Sequence, residues 1–180
     1  GCPPDGGFSL RVGRQSDNTL GGTDPSIPYV TTPRRTFISN SQPIIRWNPV
    51  AGASRYTVQV LGDDVNWETE VGGTQVQYPG TPALTPGVEY RVIVEADNGA
   101  SSQVDVGAET ATFERLYPED LELVETDLAQ IREQGFPEET EALSMADIYI
   151  REDLLAAAID TLEPFVASGT ETLEVYRVLG

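Results

Sequence analysis

The 180-residue chain contains no histidine and no lysine, and it has a single cysteine, Cys2. Without lysine there is no Schiff-base amine and no P-loop phosphate lysine. Without histidine there is no imidazole base, no Ser–His pair and no His-ligated metal. One thiol excludes an intrachain disulfide and any multi-thiolate zinc or iron–sulfur site. No run of about 18 apolar residues is present, so nothing in the sequence reads as a bilayer-spanning helix. No Gly-x-Ser-x-Gly, phosphate loop or dinucleotide fingerprint occurs. No cofactor or metal is therefore expected, and no catalytic residue is assigned.

What is present is acid. Twenty-nine Asp and Glu stand against eleven arginines, for a net charge of −18. Such a surface repels nucleic-acid phosphates and anionic lipid, so partners are expected to be basic or apolar, or to come with cations. At 39% hydrophobic the chain has enough apolar residues for one large domain or two small ones.

The charge is unevenly spread. Residues 1–34 carry Asp5, Asp17 and Asp24 against Arg11, Arg14 and Arg34, a net of zero, and are dense in Gly, Pro, Ser and Thr. This is the composition of an extended leader. Within it Phe8-Ser9-Leu10-Arg11-Val12 alternates with the strand period, so Phe8, Leu10 and Val12 are candidates for donating a strand to a sheet edge. Gly1-Cys2 resembles the end of a bacterial lipoprotein signal, which implies a lipid on Cys2. Gly1 ahead of the cysteine argues against that anchor, and an unpaired thiol in a tail is the plainer reading.

Residues 35–112 hold nine acids and four arginines and alternate in short apolar runs. Ile45 and Trp47; Tyr56, Val58 and Val60; Val65, Trp67 and Thr69; Val76 and Tyr78; Tyr90, Val92 and Val94; and Val104 and Val106 each define one face of a strand. Asn48-Pro49, Gly72-Gly73, Pro79-Gly80 and Asp97-Asn98-Gly99 separate them as turns. Short antiparallel strands at this spacing predict a β-sandwich. Leu84-Thr85-Pro86-Gly87-Val88-Glu89-Tyr90 resembles the tyrosine corner of a fibronectin type III domain, and the run from Trp47 to Tyr56 is similar to that family's second and third strands. The resemblance implies a fibronectin type III-like antiparallel sandwich over 35–112. It also implies that the Tyr90 hydroxyl donates to a buried backbone acceptor. It implies no particular function, since the fold serves as spacer and binding module alike.

Residues 113–180 hold seventeen acids and four arginines at helical spacing. Helices are predicted over 119–134, 138–150 and 152–167, with Gly135 ending the first. Leu121, Val124, Leu128 and Ile131 correspond to Leu155, Ala158, Leu162 and Phe165 thirty-four residues on, and Ala142, Met145 and Ala146 to Tyr176, Leu179 and Gly180. Thirty-four is the tetratricopeptide period. Tyr176-Arg177-Val178-Leu179-Gly180 resembles the opening of such a unit, and Tyr149, Ala158 and Leu162 fit the unit before it. Ala142 stands where that family has an aromatic and Thr170 where it has proline. The resemblance implies tetratricopeptide-like α-helical repeats over 113–180, incomplete at the C-terminal end. It also implies a protein-binding groove faced by Thr140, Leu143, Asp147 and Ile150, and an open repeat end begun by Tyr176 and Leu179.

Other candidate sites have plainer readings. The acid pairs Glu119-Asp120, Glu138-Glu139 and Glu152-Asp153 suit a glycosidase in principle but are expected as helix-start charges. Asp63, Asp64 and Glu68 lack the ligand alternation of a calcium loop. Trp67 is expected to pack in a sheet rather than to stack on sugar. The order of leader, fibronectin-like sandwich and tetratricopeptide-like repeats resembles uncharacterised exported bacterial proteins, cyanobacterial ones among them. The expectation is a non-catalytic protein-interaction or assembly module outside the cytoplasm, self-associating into a linear homo-oligomer or filament through its leader strand and open repeat ends. A carbohydrate- or cell-surface-binding accessory region of a larger secreted protein is the alternative.

Overall fold

A computed structural model describes residues 24–104 and 107–169. Among these are eight strands: β1 (Val30–Thr32), β2 (Thr36–Ile38), β3 (Ile44–Trp47), β4 (Tyr56–Leu61), β5 (Asn66–Val71), β6 (Gln75–Gln77), β7 (Glu89–Ala96) and β8 (Thr112–Arg115). Three helices follow: α1 (Pro118–Glu133), α2 (Glu138–Arg151) and α3 (Leu155–Ala167).

The strands form two sheets, ordered β1-β3-β6 and β2-β8-β7-β4-β5. Alternation sets their faces. In β4 Tyr56, Val58 and Val60 are buried while their neighbours are half-exposed, and Val58 and Val60 lie opposite Val94 and Val92 of β7. Ile45 and Trp47 from the first sheet join these residues and Phe113 in a single core, so the sheets face each other. The Trp47 ring meets Tyr56 edge-on at 5.5 Å, and the Tyr56 hydroxyl accepts the Val50 N–H at 2.8 Å. Every strand pair is antiparallel except β2–β8, which runs parallel from Thr36 opposite Phe113 to Ile38 opposite Arg115.

Three local expectations change. Residues 30–32, read as leader, form an edge strand on β3; three residues are too few for a period to show. Val104, read as a strand residue, lies in a 3₁₀ turn with its side chain 69% exposed, and Val106 lies outside the described residues. The cause is a competing set of acceptors along β7. Beyond the short pairing with β8, the Val92 N–H goes to the Ala111 carbonyl, Val94 N–H to the Ser102 hydroxyl at 2.9 Å, and Ala96 N–H to the Ala100 carbonyl. A loop thus satisfies the edge that a strand was expected to fill. The third helix starts at Leu155 rather than 152, because a left-handed turn at Asp153 precedes it.

Tyr90 is fully buried and its ring stacks on Phe113 at 5.5 Å. Gly62 sits against that ring, where a Cβ would collide with it. The hydroxyl bonds to the backbone five residues back, but in the sense opposite to the expectation. It accepts the Thr85 N–H at 2.7 Å and donates to the Asp64 carboxylate at 3.0 Å. The Thr85 hydroxyl donates to the other oxygen of Asp64. These two donors, Thr85 first and Tyr90 second, hold the Asp64 carboxyl below the usual carboxylate value.

Only Leu116 and Tyr117 separate β8 from α1, and the junction is built from backbone. Leu116 N–H donates to the Ile38 carbonyl at 3.1 Å, and Gly87 N–H to the Arg115 carbonyl at 3.0 Å. Gly87, at φ +73°, leaves room for the Tyr117 ring, which a Cβ there would strike. α2 ends in a Schellman arrangement: Leu154 N–H reaches the Tyr149 carbonyl at 2.8 Å and Asp153 N–H the Ile150 carbonyl at 3.1 Å. Asp153 takes the left-handed position at φ +54° that glycine normally fills, and this turn delays α3. The Asp153 carbonyl then accepts both the Phe37 N–H at 2.8 Å and the Thr36 hydroxyl at 2.9 Å. Thr36 Oγ1 in turn lies 3.4 Å from the Ala156 N–H, standing in for the cap that α3 does not supply itself. Leu116, Val124, Leu128, Ile148 and Leu154 form the second core beneath this junction, with Phe37 packed on it. Arg46 of β3 adds an ion pair to Asp160 of α3 at 2.8 Å.

Tyr90→Phe strands the Thr85 N–H and is expected to cost about 1–2 kcal/mol in urea unfolding at neutral pH. Because the folded Asp64 carboxyl titrates below its unfolded value, its contribution is complete above about pH 4 and is lost as pH falls through the folded value. Tyr90→Phe should flatten that acid-side loss, as read from urea midpoints against pH. Thr36→Val, which keeps shape and removes the hydroxyl, is expected to cost about 1–2 kcal/mol and to speed amide exchange in the first turn of α3. Asp153→Gly is expected to hold or raise the melting temperature, whereas Asp153→Val lowers stability by about 1–2 kcal/mol through left-handed strain.

Candidate functional site

The helices present a groove of about 630 Å³ between α1 and α2. Its α2 wall is Thr140, Leu143, Ser144, Asp147, Ile148 and Arg151, a stripe at three- and four-residue spacing that one helix face must present together. Its α1 wall is Asp127, Gln130 and Ile131. Ile148 is buried, Leu143 and Ile131 are half-buried, and Thr140, Asp147 and Gln130 are exposed, so an apolar floor carries a polar rim. The Arg151 guanidinium crosses between the helices to Asp127 at 2.7 Å and also holds Glu152 at 2.9 Å. These hydrogen bonds, Glu152's first and then Asp127's, raise its pKa further, and its charge is spent on its own neighbours. The Ser144 hydroxyl donates to the Thr140 carbonyl within the helix at 2.8 Å. Among the described residues no hydrogen bond or ion pair engages the rim carboxylate Asp147, and the groove is acidic overall.

Of the residues proposed from sequence to face a groove, Thr140, Leu143 and Asp147 come together here. Ile150 does not line the groove and is 37% exposed. Tyr176, Leu179, Phe8, Leu10, Val12 and Cys2 lie outside the described residues. Sequence reasoning missed Arg151, which continues the same stripe four residues after Asp147, and Asp127, Gln130 and Ile131, which required knowing which face of α1 meets α2. Residues thirty-four apart do share burial: Val124 and Leu128 in α1, Ala158 and Leu162 in α3 are all buried.

The remaining candidates take structural places. Glu119-Asp120 and Glu138-Glu139 occupy first turns of α1 and α2, where the helix dipole favours acids. Glu152-Asp153 does not start a helix; it forms the turn that ends α2, with Glu152 bound to Arg151. Asp64 is engaged by Thr85 and Tyr90, and Glu68 accepts the Gln59 amide at 2.6 Å. Among the described residues no group of three or more His, Cys, Asp or Glu is arranged to hold a metal ion. Trp67 is half-buried and meets Tyr78 edge-on at 5.1 Å. No helix among the described residues is long and apolar enough to cross a membrane. No family model matches the chain, and no curated protein matches it.

Proposed function

We propose that the chain is a non-catalytic protein-interaction and assembly module acting outside the cytoplasm, in which a fibronectin type III-like sandwich carries tetratricopeptide-like helices. The sheet orders, the buried Trp47 and the Tyr90 bond to Thr85 support the first part of that reading. The shared burial of residues thirty-four apart supports the second. The observation that carries the function is the α1–α2 groove, which gathers Thr140, Leu143 and Asp147 over an apolar floor. Its occupant is a partner peptide with an apolar anchor for the floor beside Leu143 and an arginine or lysine for Asp147. An acidic rim on a chain of net charge −18 selects such a peptide and rejects acidic ones.

Selection of displayed random peptides against the full chain tests this. The expected peptides combine basic and large apolar residues, and lose about tenfold or more in affinity on Asp147→Arg, an exposed substitution, and on Leu143→Ala. Selected peptides indifferent to both substitutions, or none selected, overturn the groove reading. Turnover of a glycoside, ester or peptide that disappears when a carboxylate pair is neutralised would overturn the non-catalytic one.

A further inference from the structure

The five-stranded sheet ends differently on its two sides. At one side β2 is covered, because its Phe37 N–H and Thr36 hydroxyl are taken by Asp153. At the other side β5 pairs only with β4, and its outer edge has no strand beside it among the described residues. Of the devices that blunt a free edge, β5 carries only outward charge, and lacks proline, a bulge, an inward-pointing charge and a short span. It is six residues long, contains no proline or glycine, and pairs with β4 in unbroken register from Asn66 to Val71. Its carboxylates, Glu68 and Glu70, point outward with Asn66, while Trp67, Thr69 and Val71 on the inner face are only half-covered. The inner face of the sheet is therefore only partly covered at β5.

We infer that this edge accepts residues 8–12 of a second copy of the chain as an added strand, so that copies are joined leader to sheet. The inference rests on the assembly reading above and names the acceptor and the register. Side chains in strands alternate, so Phe8, Leu10 and Val12 must share a face, and only one pairing phase sets them beside Trp67, Thr69 and Val71. That phase puts Ser9 and Arg11 on the outer face, and in either strand direction Arg11 falls opposite Glu68 or Glu70. A slip of one residue buries Arg11 and exposes all three apolar residues. The existing partners of the glutamates leave them able to accept: Glu70 meets Arg55 at 3.6 Å with both side chains exposed, and Glu68 meets a neutral amide. The leader is also the one part of the chain without net charge, which lowers the repulsion between acidic bodies.

A second copy is favoured over the same chain by connectivity. The described chain enters the sheets at β1, at the edge of its sheet opposite β6, and β6 follows β5 through the turn at 72–74. The leader therefore starts from the side of the molecule away from the β5 edge, and passing it to a neighbour needs no crossing of its own sheet.

The test uses the full chain, the full chain carrying Leu10→Asp, and a synthetic peptide of residues 5–15. In the full chain, amide exchange over 66–71 should slow with rising concentration while light scattering reports growing mass. Leu10→Asp should abolish both effects, leaving exchange at β5 about tenfold faster or more. The peptide should restore protection at β5 to the Leu10→Asp chain. It should fail on a Leu10→Asp chain carrying Glu68→Arg and Glu70→Arg, and the Arg11→Glu version of the peptide should bind that charge-reversed chain instead. Asp147→Arg in the groove should leave all of this unchanged, so the edge and the groove fail separately. A monodisperse monomer with concentration-independent protection assigns the strand to its own chain and overturns the inference. Protection indifferent to Leu10→Asp, or peptide binding indifferent to charge reversal, overturns it as well.

Discussion

One carbonyl oxygen joins the two halves of this molecule. Asp153 ends α2 in a left-handed turn, and its carbonyl, freed from any helix, accepts two hydrogen bonds from β2. The same Thr36 hydroxyl stands at the start of α3. Removing a buried polar pairing costs more than making one gains, so the position of the α2–α3 turn is set by the sheet edge beneath it. The second core follows from that docking: Leu154, the residue after Asp153, is fully buried with Leu128 and Ile148, and Phe37 of β2 packs on them. The helices are held by a backbone lock with an apolar seal, and the exposed Arg46–Asp160 pair contributes little beside it.

The strands with three or more alternating residues were legible in the sequence because period two is a strong signal when one face is buried. Tyr56, Val58 and Val60 in β4 and Tyr90, Val92 and Val94 in β7 are buried as expected. The same signal failed at Val104, where two valines alternate but Ser102 and Ala100 had already satisfied β7. It was silent for β1 and β2, each three residues long. Tyr90 was read as a corner residue from its local run, yet its polarity was reversed. The decisive partner, Asp64, lies 26 residues away and no local pattern points to it. The turn at Asp153 was hidden for a related reason. A helix stop is normally announced by glycine, and here an aspartate bears the left-handed geometry because a strand from the other half holds its carbonyl.

The groove shows the same division between local and distant information. Thr140, Leu143 and Asp147 were named from the resemblance to a tetratricopeptide helix, which assigns positions within one segment. Asp127, Gln130 and Ile131 were not, since their relevance arises only when α1 is laid beside α2. What the arrangement adds is a sign: among the described residues lining the groove the one cation, Arg151, is paired with Asp127 and Glu152, which leaves the rim acidic. The β5 edge has the same sign for a different geometric reason: its outward positions are glutamates because its inward ones serve the core.

The parallel pairing of β2 with β8 bears on how the molecule carries load. In a parallel pair the entering end of one strand and the leaving end of the other lie at opposite ends of the ladder. A pull on the chain before Thr36, opposed by a pull on the helices after Arg115, therefore strains the hydrogen bonds of that ladder together, as in shear, instead of peeling them one at a time. The Asp153 clamp lies beside this pair and must slip with it. The junction that positions the helices is thus also the place where tension between the chain before Thr36 and the helices is resisted.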